Sequence, residues 1–118
     1  MTTSTIINHI STHHRTDVSE SVMLSLLFEL DTQIWQSVIS THEGGCPAPE
    51  PYTLSSELLL PGEYADVYRH YLAARVYLLS GVPAKYETYS ALYSTAYAEW
   101  SRQYNRAHRY KERKLKLS

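Results

Sequence analysis

Lys85–Lys111 reads KYETYSALYSTAYAEWSRQYNRAHRYK, with a tyrosine or tryptophan at nearly every helical turn before the stretch turns basic. With Tyr86 as zero and about 100° per residue, Tyr89, Tyr93, Tyr97, Trp100 and Tyr104 fall between about −60° and +20°. Glu87, Thr88, Thr95, Glu99, Arg102, Asn105 and Arg106 occupy the opposite face. The spacing predicts an amphipathic helix whose apolar seam is aromatic. Gly81-Val82-Pro83 precedes it, a tight break that makes this helix fold back on the one before. That earlier helix is expected from Pro61 to about Ser80, with Tyr64, Val67, Tyr68, Tyr71, Leu72, Ala74, Leu78 and Leu79 on one half of its circumference. Such a seam serves as core packing, as a stacking platform for bases, or as a surface for another protein. Core packing fits best, because the rings share their wedge with alanines while the cations lie beyond or opposite.

Further upstream, Asp17-Val18-Ser19-Glu20 has the form of a capping box with Asp17 as the cap and Glu20 at the third helical position. A helix is expected from there to about His42, ended by Gly44-Gly45. Its polar positions Ser21, Ser25, Glu29, Thr32, Gln33 and Gln36 share one narrow stripe, so the helix needs apolar neighbours on two sides. It is either the central helix of the domain or one shared with another subunit. Residues 43–62, EGGCPAPEPYTLSSELLLPG, hold four of the five prolines and three of the four glycines. They predict a long loop or arm, extended at Pro47, Pro49 and Pro51, with Leu58–Leu60 against the bundle or paired briefly as a strand. A short first helix carrying His9 and His13 completes an all-α reading. The whole is one domain over residues 1–118: a small bundle of three main helices with a Pro-rich arm and a C-terminal antiparallel hairpin.

Composition narrows the function. At 118 residues, 43% hydrophobic and 19% charged, the chain has the balance of a globular domain. It holds no apolar run long enough to span a bilayer. The N-terminal stretch lacks the pattern of a secretory signal, and one cysteine cannot form an internal disulfide, so an intracellular protein is expected. The net charge of −1 conceals an asymmetry. Residues 1–60 carry one base against seven acids; residues 61–118 carry ten bases against five acids. Arg102, Arg106, Arg109, Lys111, Arg113, Lys114 and Lys116 concentrate the excess at the C-terminal end, where residues 109–118 read as an extended or frayed tail. A bipolar chain can associate head to tail with its own copies or dock its basic end on an acidic partner.

No catalytic signature is present. His9 and His13, four apart, could present two imidazoles to a metal, but no acidic or sulfur ligand accompanies them and solvent exposure is the plainer reading. His42, Glu43 and Cys46 flank a Gly-Gly pair, which is poor preorganisation for zinc or a thiolate. His70 and His108 sit among tyrosines, where a hydrogen-bonded structural role is expected. Phosphate loops and a strand-framed serine are missing. The expectation is a non-enzyme without metal or cofactor. Nucleic-acid binding through the basic tail, weak and salt-sensitive, stays open as the alternative function.

Two segments, LLFELDTQIWQSVISTHEG and ELLLPGEYADVYRHYLAARVYLLSGVPAKYETYSALYSTAYAEWSRQYNRAH, together resemble the head-to-tail connector, or neck adaptor, proteins of tailed bacteriophages. The matching positions are Glu29, Asp31, His42, Glu43, Gly44, Leu59, Leu60, Pro61, Tyr64, Tyr68, Tyr71, Leu72, Gly81, Tyr86, Tyr97, Tyr104, Asn105 and Arg106. The resemblance covers about residues 20–108. It departs in the Pro-rich Cys46–Pro51 insert and in the basic tail after His108. It implies a structural virion protein of the neck, made in the host cytoplasm, that forms a ring beneath the portal, commonly of twelve copies. Its partners are then the portal protein, a tail-side neck protein and DNA passing through the channel without specific binding. In that setting the basic tail engages the portal, and the acidic half lies nearer the channel or the neighbouring subunit.

Overall fold

The structure, a computed structural model, describes residues 1–111. It contains α1 (Thr3–His13), α2 (Glu20–Ser37), α3 (Ala65–Leu79) and α4 (Pro83–Ala107), with 3-10 turns at Ile39–Thr41 and Gly62–Tyr64. Among the described residues there is no strand, only isolated bridges at Thr2–Glu57 and His42–Tyr110. The protein is mostly helical, as its periodicity predicts.

One core joins the helices. Ile6, Ile7 and Ile10 of α1 meet Met23, Leu27, Leu30 and Ile34 of α2 and Val67, Tyr68, Leu72 and Val76 of α3. Burying each such side chain contributes roughly 1.5–3 kcal/mol, which is why the eleven-residue α1, marginal alone, holds its form here. The α3–α4 pairing is antiparallel: Tyr77 stacks on Tyr89 at 5.6 Å and Tyr71 meets Tyr93 at 5.3 Å. Between them Gly81, at φ 72°, closes a Schellman motif in which Val82 N–H donates to Tyr77 C=O at 2.9 Å. Pro83 then opens α4 at its first position.

Several boundaries differ from expectation. Ser19, not Asp17, caps α2: its hydroxyl accepts from Val22 N–H at 3.3 Å, and Glu20 is the first helical residue. The Thr16 hydroxyl meanwhile accepts from Val18 N–H at 2.9 Å, which holds Asp17 in a turn before the helix. Val18 and Met23 thereby stand at the two positions of a hydrophobic staple. At the other end α2 stops at Ser37 and continues only as the 3-10 turn, so Gly44, at φ 74°, closes a later turn rather than the helix. Downstream, Pro61 lies before the 3-10 turn, and α3 proper starts at Ala65.

The arm does not hang free. Thr3 and Ser4 N–H, two unpaired donors of α1's first turn, donate to Ser56 and Leu54 C=O at 3.0 and 3.2 Å. Leu58 and Leu60 are buried. The second apolar side expected of α2 is thus covered by the chain's own arm, with Tyr52 edge-on to Phe28 at 5.5 Å. Because α4 has 25 residues against 15 for α3, its last turns overhang the hairpin. The radius of gyration, 15.7 Å, accordingly exceeds the roughly 13 Å of a compact chain this long.

Candidate functional site

The overhang of α4 carries the residues singled out as partner-binding. Arg102 and Arg106 are exposed on the side of the helix away from Trp100, Tyr104 and Ala107, about half a turn around. Arg109 and Lys111 follow on extended backbone and are exposed as well. Arg113, Lys114 and Lys116 lie outside the described residues. The structure therefore gathers four of the seven cations at one end of an elongated molecule. Part of the expected free tail is also tied down. Glu43 N–H donates to Arg109 C=O at 2.7 Å and Lys111 N–H to Thr41 C=O at 2.9 Å, so residues 109–111 pair with 41–43.

Beneath that bridge sits His42, 2% exposed. Its Nδ1 lies 2.6 Å from Val38 C=O, an oxygen that can only accept, so Nδ1 carries the proton. Nε2 is buried with no hydrogen-bond partner among the described residues. The Tyr104 ring stands edge-on at 5.2 Å and the Tyr110 ring covers the imidazole at 4.1 Å. Sequence reasoning placed His42 beside a flexible Gly-Gly; its burial depends on contacts some 60 residues away, which periodicity cannot reveal.

Next to this, an open groove of about 380 Å³ runs between the overhang and the arm's two ends. Ile39, Leu59 and Trp100 contribute apolar surface; Pro61, Tyr64 and Tyr104 add a proline and two further rings. Gly45 forms part of the wall where no side chain fits, since a Cβ there would stand 2.7 Å from Ile39 Cγ2. Trp100 is the one residue of α4 that is fully buried. The lower tyrosines serve as the expected seam against α3. Burial pushes the Tyr93 hydroxyl up to about 12, and burial likewise raises Tyr97 and Tyr104. Tyr104 instead meets His42, just past the 3-10 turn that follows α2, and Trp100 lines the groove together with Ile39 of that turn.

A second polar constellation escaped sequence reasoning. Asp31 is fully buried on α2. Its Oδ2 accepts from Tyr52 hydroxyl at 2.5 Å and Leu59 N–H at 3.0 Å, and its Oδ1 from Tyr68 hydroxyl at 2.7 Å. Burial raises the carboxyl above its ordinary range although these three donors oppose the shift. Burial and the neighbouring carboxylate push both tyrosines up, so the donors keep their protons. At about 100° per residue Asp31 falls between the wedge of Met23, Leu27, Leu30 and Ile34 and the neighbouring Leu24 and Trp35, and an acid inside so broad an apolar face was the available signal. With these three donors all supplied by the chain itself, the carboxyl fastens α2, α3 and the arm together.

The histidines near the N-terminus do not converge on a common point. His9 and His13 stack at 4.2 Å, and His13 Nδ1 donates to His9 C=O. Among the described residues no three His, Cys, Asp or Glu side chains gather as a metal-binding group. His14, at the end of α1, bonds Tyr77 hydroxyl at 2.8 Å and meets Tyr89 edge-on at 5.2 Å. Its pKa is lowered by burial first, then by His9, His13 and Lys85. Among the described residues no helix is long and apolar enough to cross a membrane.

Compared with known proteins, the chain matches no family model, no curated protein and no solved structure.

Proposed function

We propose that this chain is a structural adaptor of the tailed-phage neck, which assembles as a ring between the portal and the next neck or tail protein and extends the DNA channel. The supporting observation is the overhang of α4, which exposes Arg102 and Arg106 beyond the hairpin, with Arg109 and Lys111 exposed on the segment that follows it. A rod-like end bearing exposed cations suits docking on an acidic rim, while the acidic first half suits a neighbour or a channel that DNA must pass without sticking. A closed ring needs two different surfaces on each copy, and the bipolar charge supplies them. In this reading the chain is no enzyme and takes no cofactor.

Co-assembly with purified portal rings is the test. The full chain is expected to co-sediment with the portal, and deletion of residues 109–118 to abolish this. Unchanged binding after the deletion removes the tail from the interface. A salt-dependent gel shift with duplex and single-stranded DNA separates the alternative. Binding that vanishes at physiological salt fits the adaptor, whereas tight binding that survives it makes the chain a nucleic-acid-binding module.

A further inference from the structure

The Pro47–Pro51 segment is largely presented to the outside, with only its middle residue, Pro49, half-buried. It is held at both ends: Trp35 Nε1–H donates to Cys46 C=O at 2.8 Å, and Tyr52 is anchored on Asp31 and Phe28. Between these anchors, Pro47, Ala48, Glu50 and Pro51 are exposed, and the backbone has no regular secondary structure. Three prolines in five residues fix φ near −65° and favour an extended left-handed path at little entropic cost. Such segments are recognised by aromatic-lined grooves. The groove beside Trp100, with Tyr64, Tyr104 and Pro61, has that lining and a volume, about 380 Å³, in the range of ligand sites.

From this complementarity we infer that the Pro47–Pro51 arm of one copy seats in the Trp100 groove of the next. Charge supports the same occupant: Glu50 sits between two of the prolines, and the exposed Arg109 and Lys111 follow His108 of the groove's lining and pair with residues 41–43 at its edge. Arm and groove are different surfaces of the same chain, so the contact is heterologous and propagates around a ring. It rests on the self-assembling part of the proposed function and is independent of the portal.

The single cysteine, Cys46, is exposed next to the arm and provides the probe. Full-length protein spin-labelled at Cys46 is mixed with isotope-labelled C46S protein, so that only contacts between copies broaden signals. Subunits side by side in a ring experience effective concentrations on the order of mM, so the mixture is observed at about 1 mM. The Trp100 indole and the Tyr104 and Ala107 amides are expected to broaden. The P47A/P49A/P51A variant, whose arm keeps its anchors, is expected to weaken the effect about tenfold in apparent affinity. Absence of broadening at that concentration overturns the inference. So does broadening at Trp100 that the triple variant leaves unchanged, which means that the prolines do not seat in the groove and that another part of the neighbouring copy near Cys46 makes the contact. Loss of portal binding with this contact intact counts against the portal assignment alone.

Discussion

The Tyr68 hydroxyl donates to Asp31 Oδ1 at 2.7 Å and accepts from Leu60 N–H at 2.9 Å, so one oxygen fastens α2, α3 and the arm. Tyr68→Phe leaves the Leu60 amide without a partner in a buried place and takes one of three donors from a buried carboxylate. The expected cost is about 2–4 kcal/mol, or roughly 10 °C of Tm for a chain of this size. Tyr52→Phe removes a donor that is half-buried and has no second partner among the described residues, so it is expected to cost less, about 1–2 kcal/mol. Equal losses in urea titrations of the two variants would argue against a relay through Tyr68.

The same carboxyl and two histidines set opposite slopes of stability against pH. Asp31 holds its proton in the folded state above the value of about 3.9 found in unfolded chains. Between those two values the native state binds more protons. The carboxyl's contribution therefore falls as pH rises through that window and is level above it. His9, lowered first by burial and then by His13 and Arg69, and His14 behave in the reverse sense. Their folded values lie below about 6.5, so stability is lost as pH falls from there through the lowered values. His14→Phe keeps a ring between Tyr77 and Tyr89 but cannot ionise. It is expected to flatten the unfolding midpoint between about pH 5 and 7. A variant curve parallel to the wild type across that range would remove His14 from the account.

Gly44 and Gly45 are adjacent but required for different reasons. Gly44 has φ 74° and open space where a Cβ would go, so Gly44→Ala carries only the backbone penalty, about 1–2 kcal/mol. Gly45→Ala instead drives a methyl against Ile39 Cγ2, with the Ile39 carbonyl at 3.1 Å, an overpacking cost of about 1–3 kcal/mol. Ile39→Ala is expected to rescue part of the second loss and none of the first. A double-mutant cycle measures the difference, and additivity at both sites would contradict the contact.

Much of the fold is legible in the residues themselves. The 3.6-residue spacing of Met23, Leu27, Leu30 and Ile34, the Gly81–Pro83 break and the tyrosine wedge each define a helix or a turn by local geometry alone. What stays hidden is set by distant partners. Asp17 and Ser19 are both good caps, and a turn at Thr16 together with the packing of Val18 decides between them. The arm has the composition of a loose loop, yet it is held by α1's unpaired amides and by Asp31, which no local pattern reports. The charged end of α4 was readable as a cluster. That Arg102 and Arg106 face away from Trp100 follows from the helical spacing too, but the groove beside Trp100, built with Gly45 and Leu59, emerges only once the overhang is seen.

That separation gives the last prediction its form. Arg102 and Arg106 are exposed and touch no part of the core, so reversing both to glutamate is expected to leave folding stability within about 0.5 kcal/mol. In the proposed neck adaptor, docking on an acidic portal surface would depend on charge at the approaching end, and reversal would act mainly on the association rate. The variant is expected to bind portal rings at least about tenfold more slowly at low salt. The gap should close as the screening length shrinks from about 10 Å at 0.1 M salt to about 3 Å at 1 M. Trp100→Ala is the counterpart on the other side of the helix. It empties a site 3% exposed and is expected to cost about 3–5 kcal/mol in stability. Stopped-flow association with calorimetry on both variants separates the two faces. If R102E/R106E associates at the wild-type rate in low salt, the outward face of α4 is not the docking surface.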